Sequence, residues 1–75
     1  MTQLTEENAS QIVVEFLKKR KNTDKIDVAM VEREEDCWKV RGTSPIEFGG
    51  ATWPERFVVV VDLKGKIRSS EFALL

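Results

Sequence analysis

The side chains able to do chemistry in this chain are Cys37, the acidic run Glu32, Glu34, Glu35 and Asp36, the pair Gly49-Gly50, and the basic run Lys18 to Lys21. A cysteine becomes a nucleophile when a neighbouring base or cation favours its thiolate. Cys37 is the only cysteine, has no CxxC partner, and the chain contains neither histidine nor tyrosine. Acid–base chemistry near neutral pH would fall to a carboxylate, a lysine or Cys37 itself with a strongly shifted pKa. No nucleophile and base can be paired from the sequence, so the chain reads as non-catalytic, with Cys37 a small core or edge residue. The acidic run offers oxygen ligands suited to Ca²⁺ or Mg²⁺, but it lacks the spaced ligands, central glycine and terminal glutamate of a calcium loop. Arg33 also stands within it. It reads as a solvated hairpin turn, with no metal and no cofactor expected. Gly49-Gly50 has neither the spacing nor the following helix of a phosphate loop. The pair reads as a sharp chain reversal, and no small-molecule substrate site is evident.

The stretch from Ser44 to Glu55 is the strongest functional signal. Pro45, Ile46, Phe48, Gly49, Gly50, Trp53 and Pro54 crowd there between two strand-like runs. As a connection it is long and apolar, whereas hairpin loops are usually short and polar. Two readings stand open. Ile46, Phe48 and Trp53 fold over the open end of the core as a lid, or they are presented to a partner with Trp53 as anchor, stiffened by Pro54.

The elements that would position these residues follow from periodicity. Ala9, Ile12, Val13, Phe16 and Leu17 form one apolar helical stripe. Thr5 starts it as N-cap and Asn22 stops it, with Glu6 and Glu7 at the positive end and Lys18 to Lys21 at the negative end. Leu4 stands at staple spacing from Ala9. Ile26, Val28 and Met30 alternate as a first strand, and Trp38 and Val40 as a second, giving an expected pairing of Met30 with Trp38 and Val28 with Val40. Phe57 to Asp62 is a β-branched third strand. Asp62-Leu63-Lys64-Gly65 has the chemistry of a type I turn with a glycine bulge, returning Ile67 to Phe72 so that Val61 faces Ile67, Val59 faces Ser69 and Phe57 faces Glu71. The expectation is a single α+β domain over residues 1–75: one N-terminal helix packed on a four-stranded antiparallel meander. A chain of 75 residues holds one small core. Its expected stability is about 4 to 11 kcal/mol.

The helix start Leu4-Thr5-Glu6-Glu7-Asn8-Ala9 and the hairpin Val59-Val60-Val61-Asp62-Leu63-Lys64-Gly65-Lys66-Ile67 together resemble small PepSY-like and cystatin-like domains. That resemblance implies a helix lying across an antiparallel meander and, for the PepSY-like case, a regulatory or inhibitory role toward peptidases. Such domains often belong to exported or membrane-linked proteins. Here Met1 leads into Thr2-Gln3-Leu4-Thr5-Glu6-Glu7, which is neither a basic nor an apolar leader, and the longest apolar run, Phe57 to Val61, is too short to span a bilayer. A cytoplasmic location without membrane attachment is expected, and a single cysteine suits a reducing compartment.

Alternation assigns Ala29, Val31, Val58 and Val60 to the sheet face away from the helix. A sheet covered on one side should be polar on the other. Either the stems of Lys39, Arg41 and Arg68 cover these residues, or the face is buried against a second copy or a larger protein. Nucleic acid is the alternative partner, through Lys18 to Lys21 with Lys39, Arg41, Arg56 and Arg68. The formal net charge of −1 ranks it below a protein partner or self-association.

Overall fold

Glu6 to Lys21 forms α1 because its ends are satisfied locally. The Thr5 hydroxyl accepts from the Asn8 N–H at 3.2 Å, as an N-cap should. Asn22 leaves the helix in the left-handed region with φ 53°, the usual way for a helix to stop. The computed structural model describes residues 4–75. The part of the leader reading that falls on Met1, Thr2 and Gln3 lies outside them. After α1 come β1 (Asp27–Arg33), β2 (Cys37–Phe48), β3 (Ala51–Asp62) and β4 (Ile67–Leu74), all antiparallel in the order β1-β2-β3-β4. The architecture is therefore the expected α+β pair of layers, one helix on an open four-stranded meander. Among the described residues no helix is long and apolar enough to cross a membrane.

The core lies between α1 and one sheet face. Val13 and Leu17 from the helix meet Val40, Phe57, Val59 and Val61 from the two central strands, all fully buried, with Ile12, Phe16, Ile26, Val28, Val31, Ile67 and Phe72 packed around them. Trp38 closes the end near the helix start, half-buried, its Nε1–H donating to the Leu4 carbonyl at 3.0 Å. The helix packs mainly on β1, β2 and β3. Gly42 stands opposite Phe57 in this face. A Cβ at Gly42 would strike the Asp27 carbonyl oxygen and lie 2.7 Å from the Phe57 ring. The missing side chain is what admits the ring.

The expected pairing of β1 is corrected by a bulge. Val31, not Met30, lies on the helix side, opposite Val40; Met30 stands opposite Arg41 and Val28 opposite Gly42, with the register shifting at Ala29. The irregularity lets Val28 and Val31 both face the core while the longer Met30 goes outside, where it is half exposed. Val31 is thus removed from the outer face, and Ala29 sits exposed in the bulge. A second bulge at Arg68 corrects β4. Val61 still faces Ile67, but Val59 pairs with Ser70 and Phe57 with Phe72. Without the extra residue Glu71 would point into the core; with it, Phe72 does.

The largest correction concerns Ser44 to Glu55, which is strand and not a loop. Every residue from Cys37 to Phe48 pairs with one from Asp62 back to Ala51, and only Gly49 and Gly50 form the turn. Their φ values are 62° and 80°. Those are the angles of the two-residue reversal that matches strand twist, and glycine adopts both without strain. The closing hairpin is as expected: Gly65 N–H bonds the Asp62 carbonyl at 3.1 Å and Gly65 has φ 89°. The N–H groups of Lys66 and Lys64, each 2.9 Å from Asp62 Oδ1, hold that carboxyl below its ordinary range. Hydrogen bonds of this kind favour the charged form.

Gly42→Ala should cost about 3 kcal/mol or more, because the group it strikes is backbone. Gly49→Ala meets open space but keeps a positive φ. It should cost about 1 kcal/mol. Denaturant midpoints compare the two; equal stabilities for Gly42→Ala and the parent would refute the close approach.

Candidate functional site

The central strands outrun their neighbours. β1 pairs as far as Thr43 and β4 as far as Glu55, so beyond the Ser44–Glu55 pair residues 45–48 and 51–54 continue as a two-stranded arm. Four residues of strand extend about 13 Å, at about 3.3 Å per residue. The molecule measures 47 × 19 × 17 Å in consequence.

Both prolines have a positional reason. In a hairpin closed by a two-residue turn, the flanking pair Phe48 and Ala51 exchanges both backbone bonds, and bonded pairs then alternate. Pro45 opposite Pro54 is an unbonded pair, so each nitrogen faces the arm's edge rather than the partner strand. Proline has no N–H to offer there. Pro45 ends the edge along which β1 would continue. Pro54 still accepts through its carbonyl, from the Leu75 N–H at 3.4 Å, but donates nothing.

Ile46 faces Trp53 across the arm, and Phe48 lies on the same side. This is the face that, further down the strands, carries the core. Trp53 is 50% and Phe48 71% exposed. Neither they nor Ile46 belongs to the group packed around the core. The Trp53 indole is fixed nonetheless, its Nε1–H donating to the Phe48 carbonyl at 3.1 Å. A cleft of about 490 Å³ separates Lys21, Asn22, Thr23 and Lys25 at the helix end from Pro45, Ile46, Glu47 and Thr52 on the arm.

The arm is rooted by charge. Glu55 occupies the inward row that continues as Phe57, Val59 and Val61, and its carboxylate pairs with Lys21 from the last turn of α1, both side chains nearly nine-tenths buried. Lys21 Nζ also lies 4.9 Å from the Phe72 ring centre, and the Arg20 guanidinium 5.3 Å from it. Both cations are close enough for the ring face to attract them. Opposite Glu55 is Ser44, buried, with an Oγ that has no hydrogen-bond partner among the described residues. Helix periodicity gives Lys21 only its place near the dipole. The signal for this pair was a lone carboxylate in an otherwise apolar alternating row.

Other candidate groups are dispersed into structure. Cys37 is buried at the start of β2, its thiol 3.7 Å from Glu34 Oε1. Burial first, then the negative charges of Glu34 and Asp36, push its pKa up. Both effects disfavour the thiolate. Glu32 lies 3.2 Å from Arg41, Glu34 3.2 Å from Lys39 and Asp36 3.2 Å from Arg68. Among the described residues no three acidic or thiol groups gather as a metal would require. On the outer sheet face Val58 stands opposite Arg41 and Val60 opposite Lys39, both valines half-buried. Comparison with protein-family models, curated proteins and solved structures returned no match.

Lys21→Ala should lower stability by about 3 kcal/mol by leaving Glu55 buried and unpaired, whereas Lys21→Met combined with Glu55→Leu should come within about 1 kcal/mol of the parent. Chemical denaturation checks the pair. A Lys21→Ala variant as stable as a variant at exposed Lys18 would show that the bridge does not root the arm.

Proposed function

We propose that the chain is a non-catalytic protein-binding module whose recognition element is the apolar face of the arm, with Trp53 as anchor and Ile46 and Phe48 beside it. The observation that carries this reading is a half-exposed tryptophan, fixed by a hydrogen bond to the Phe48 carbonyl, on an element that adds nothing to the core. A side chain already held in one orientation loses little freedom on binding, and tryptophan is among the residues that most often dominate an interface. Two features stiffen the presentation: the glycine turn that closes the arm and the buried pair that roots it.

The outer sheet face is the weaker surface for the same work. Val31 lies in the core, and the cations expected to cover Val58 and Val60 stand directly across from them. Those cations are also paired, Arg41 with Glu32, Lys39 with Glu34 and Arg68 with Asp36, while Lys21 is engaged by Glu55. Half of the cations named for nucleic acid are thus neutralised, and the formal net charge of −1 gives no general attraction to a phosphate backbone, which weighs against nucleic acid.

The test begins with the protein that co-purifies with this chain from its native cell. Trp53→Ala should raise Kd for that partner by about 30-fold or more, a loss of about 2 kcal/mol, with the melting temperature nearly unchanged. A large loss of stability with undiminished binding would overturn the assignment.

A further inference from the structure

Among the described residues no strand covers the outer edge of β4, and its hydrogen-bonding pattern and side-chain order fit a second copy of itself. The Leu75 N–H bonds the Pro54 carbonyl. In the continuing register the pairs Arg56 with Ala73, Val58 with Glu71 and Val60 with Ser69 therefore exchange backbone bonds inside the molecule. The intervening residues Ser70, Phe72 and Leu74 turn their N–H and C=O groups outward. Beyond the bulge at Arg68 nothing interrupts this row, and no proline lies in it. The other edges are blunted. β1 is broken midway by the Ala29 bulge, and the arm carries Pro45 and Pro54 at outward positions. At the end of the open row, Leu74 and Leu75 are exposed, 61% and 63%.

We propose that this chain forms a two-fold dimer by antiparallel pairing of β4 with β4 of a second copy, centred on Phe72. A two-fold axis normal to the sheet keeps the helix-side face of both copies on one side, so each residue must meet one from the same row. Centring on Ser70 would draw both Arg68 bulges into the pairing. Centring on Glu71 would set two carboxylates face to face. Centring on Phe72 avoids both: Phe72 meets Phe72 of the second copy, Ser70 meets Leu74, and these pairs use the outward backbone groups. On the opposite face Glu71 meets Ala73 of the second copy and Ser69 meets Leu75. The exposed leucines gain cover, the aromatic rings meet as a cross-strand pair, and the two sheets become one. The arms then point to opposite ends, so the dimer leaves Trp53 free and stands or falls separately from the function proposed for it.

The test is sedimentation equilibrium of the full chain across concentration, with variants chosen by register. The parent should show a concentration-dependent monomer–dimer equilibrium, and exchange of the Ser70, Phe72 and Leu74 amides should slow as concentration rises. Ser70→Pro removes an N–H that the monomer does not use and should raise the dimer Kd by about ten-fold or more. Because proline could disturb β4 itself, exposed Ala73 supplies an independent check: Ala73→Glu, placed against Glu71 of the second copy, should weaken the dimer by about ten-fold, and Ala73→Lys should tighten it. A parent that stays monomeric up to about 1 mM, or a dimer indifferent to both Ala73 substitutions, would overturn the proposal.

Discussion

The unbroken register between β2 and β3 is the constraint on which everything else rests. From Cys37 opposite Asp62 to Phe48 opposite Ala51 no residue is skipped. That continuity fixes which residues face the helix: Val40, Gly42 and Ser44 on one strand, Glu55, Phe57, Val59 and Val61 on the other. The outer strands each carry a bulge, but the central pair carries none. A slip of one residue would turn Phe57, Val59 and Val61 to solvent and bring Val58, Val60 and Arg56 against α1. The close fit of the Phe57 ring over Gly42 penalises that slip further. At the far end, the two-residue glycine turn sets the same register independently.

The same alternation that builds the core also builds the arm. Once β1 and β4 stop, the inward row of β3 runs from valine and phenylalanine through Glu55 to Trp53. Glu55 is where the row leaves the shelter of the helix, and the last turn of α1 reaches it with Lys21. A buried pair of this kind adds little net stability compared with apolar residues of the same size, but breaking it is expensive. Its contribution is to fix the relation between helix end and arm. Beyond it the row has no helix to meet, and Trp53 and Phe48 are left in the open with one polar tie between them.

What the sequence made legible was governed by near neighbours. Thr5 and Asn22 bound the helix because capping is a matter of a few residues, and Asp62 to Gly65 announced its hairpin for the same reason. The two bulges could not be read in this way. Whether Met30 or Val31, and Glu71 or Phe72, turns inward depends on the strand across the sheet, and one extra residue at Ala29 or Arg68 reverses simple alternation. The prolines concealed the arm. Proline argues against a strand only where its nitrogen must donate to the ladder, and both prolines occupy outward positions, a matter of parity counted from the turn. Phe48-Gly49-Gly50-Ala51 was the local clue, since a glycine pair between paired strands is a hairpin signal. Lys21 with Glu55 joins residues far apart in the chain and left only the trace of a carboxylate in an apolar row.

Proton NMR of the free protein at low concentration would distinguish a preformed arm from a loop most directly. In an antiparallel pair the unbonded partners bring their Cα atoms to about 4.5 Å, so their Cα hydrogens give strong cross-strand contacts. A preformed arm requires such contacts between Pro45 and Pro54 and between Glu47 and Thr52, together with slowed exchange of the Trp53 indole N–H. Averaged shifts from Ser44 to Glu55, with neither contact present, would contradict the pairing that places Trp53 in its exposed, fixed position.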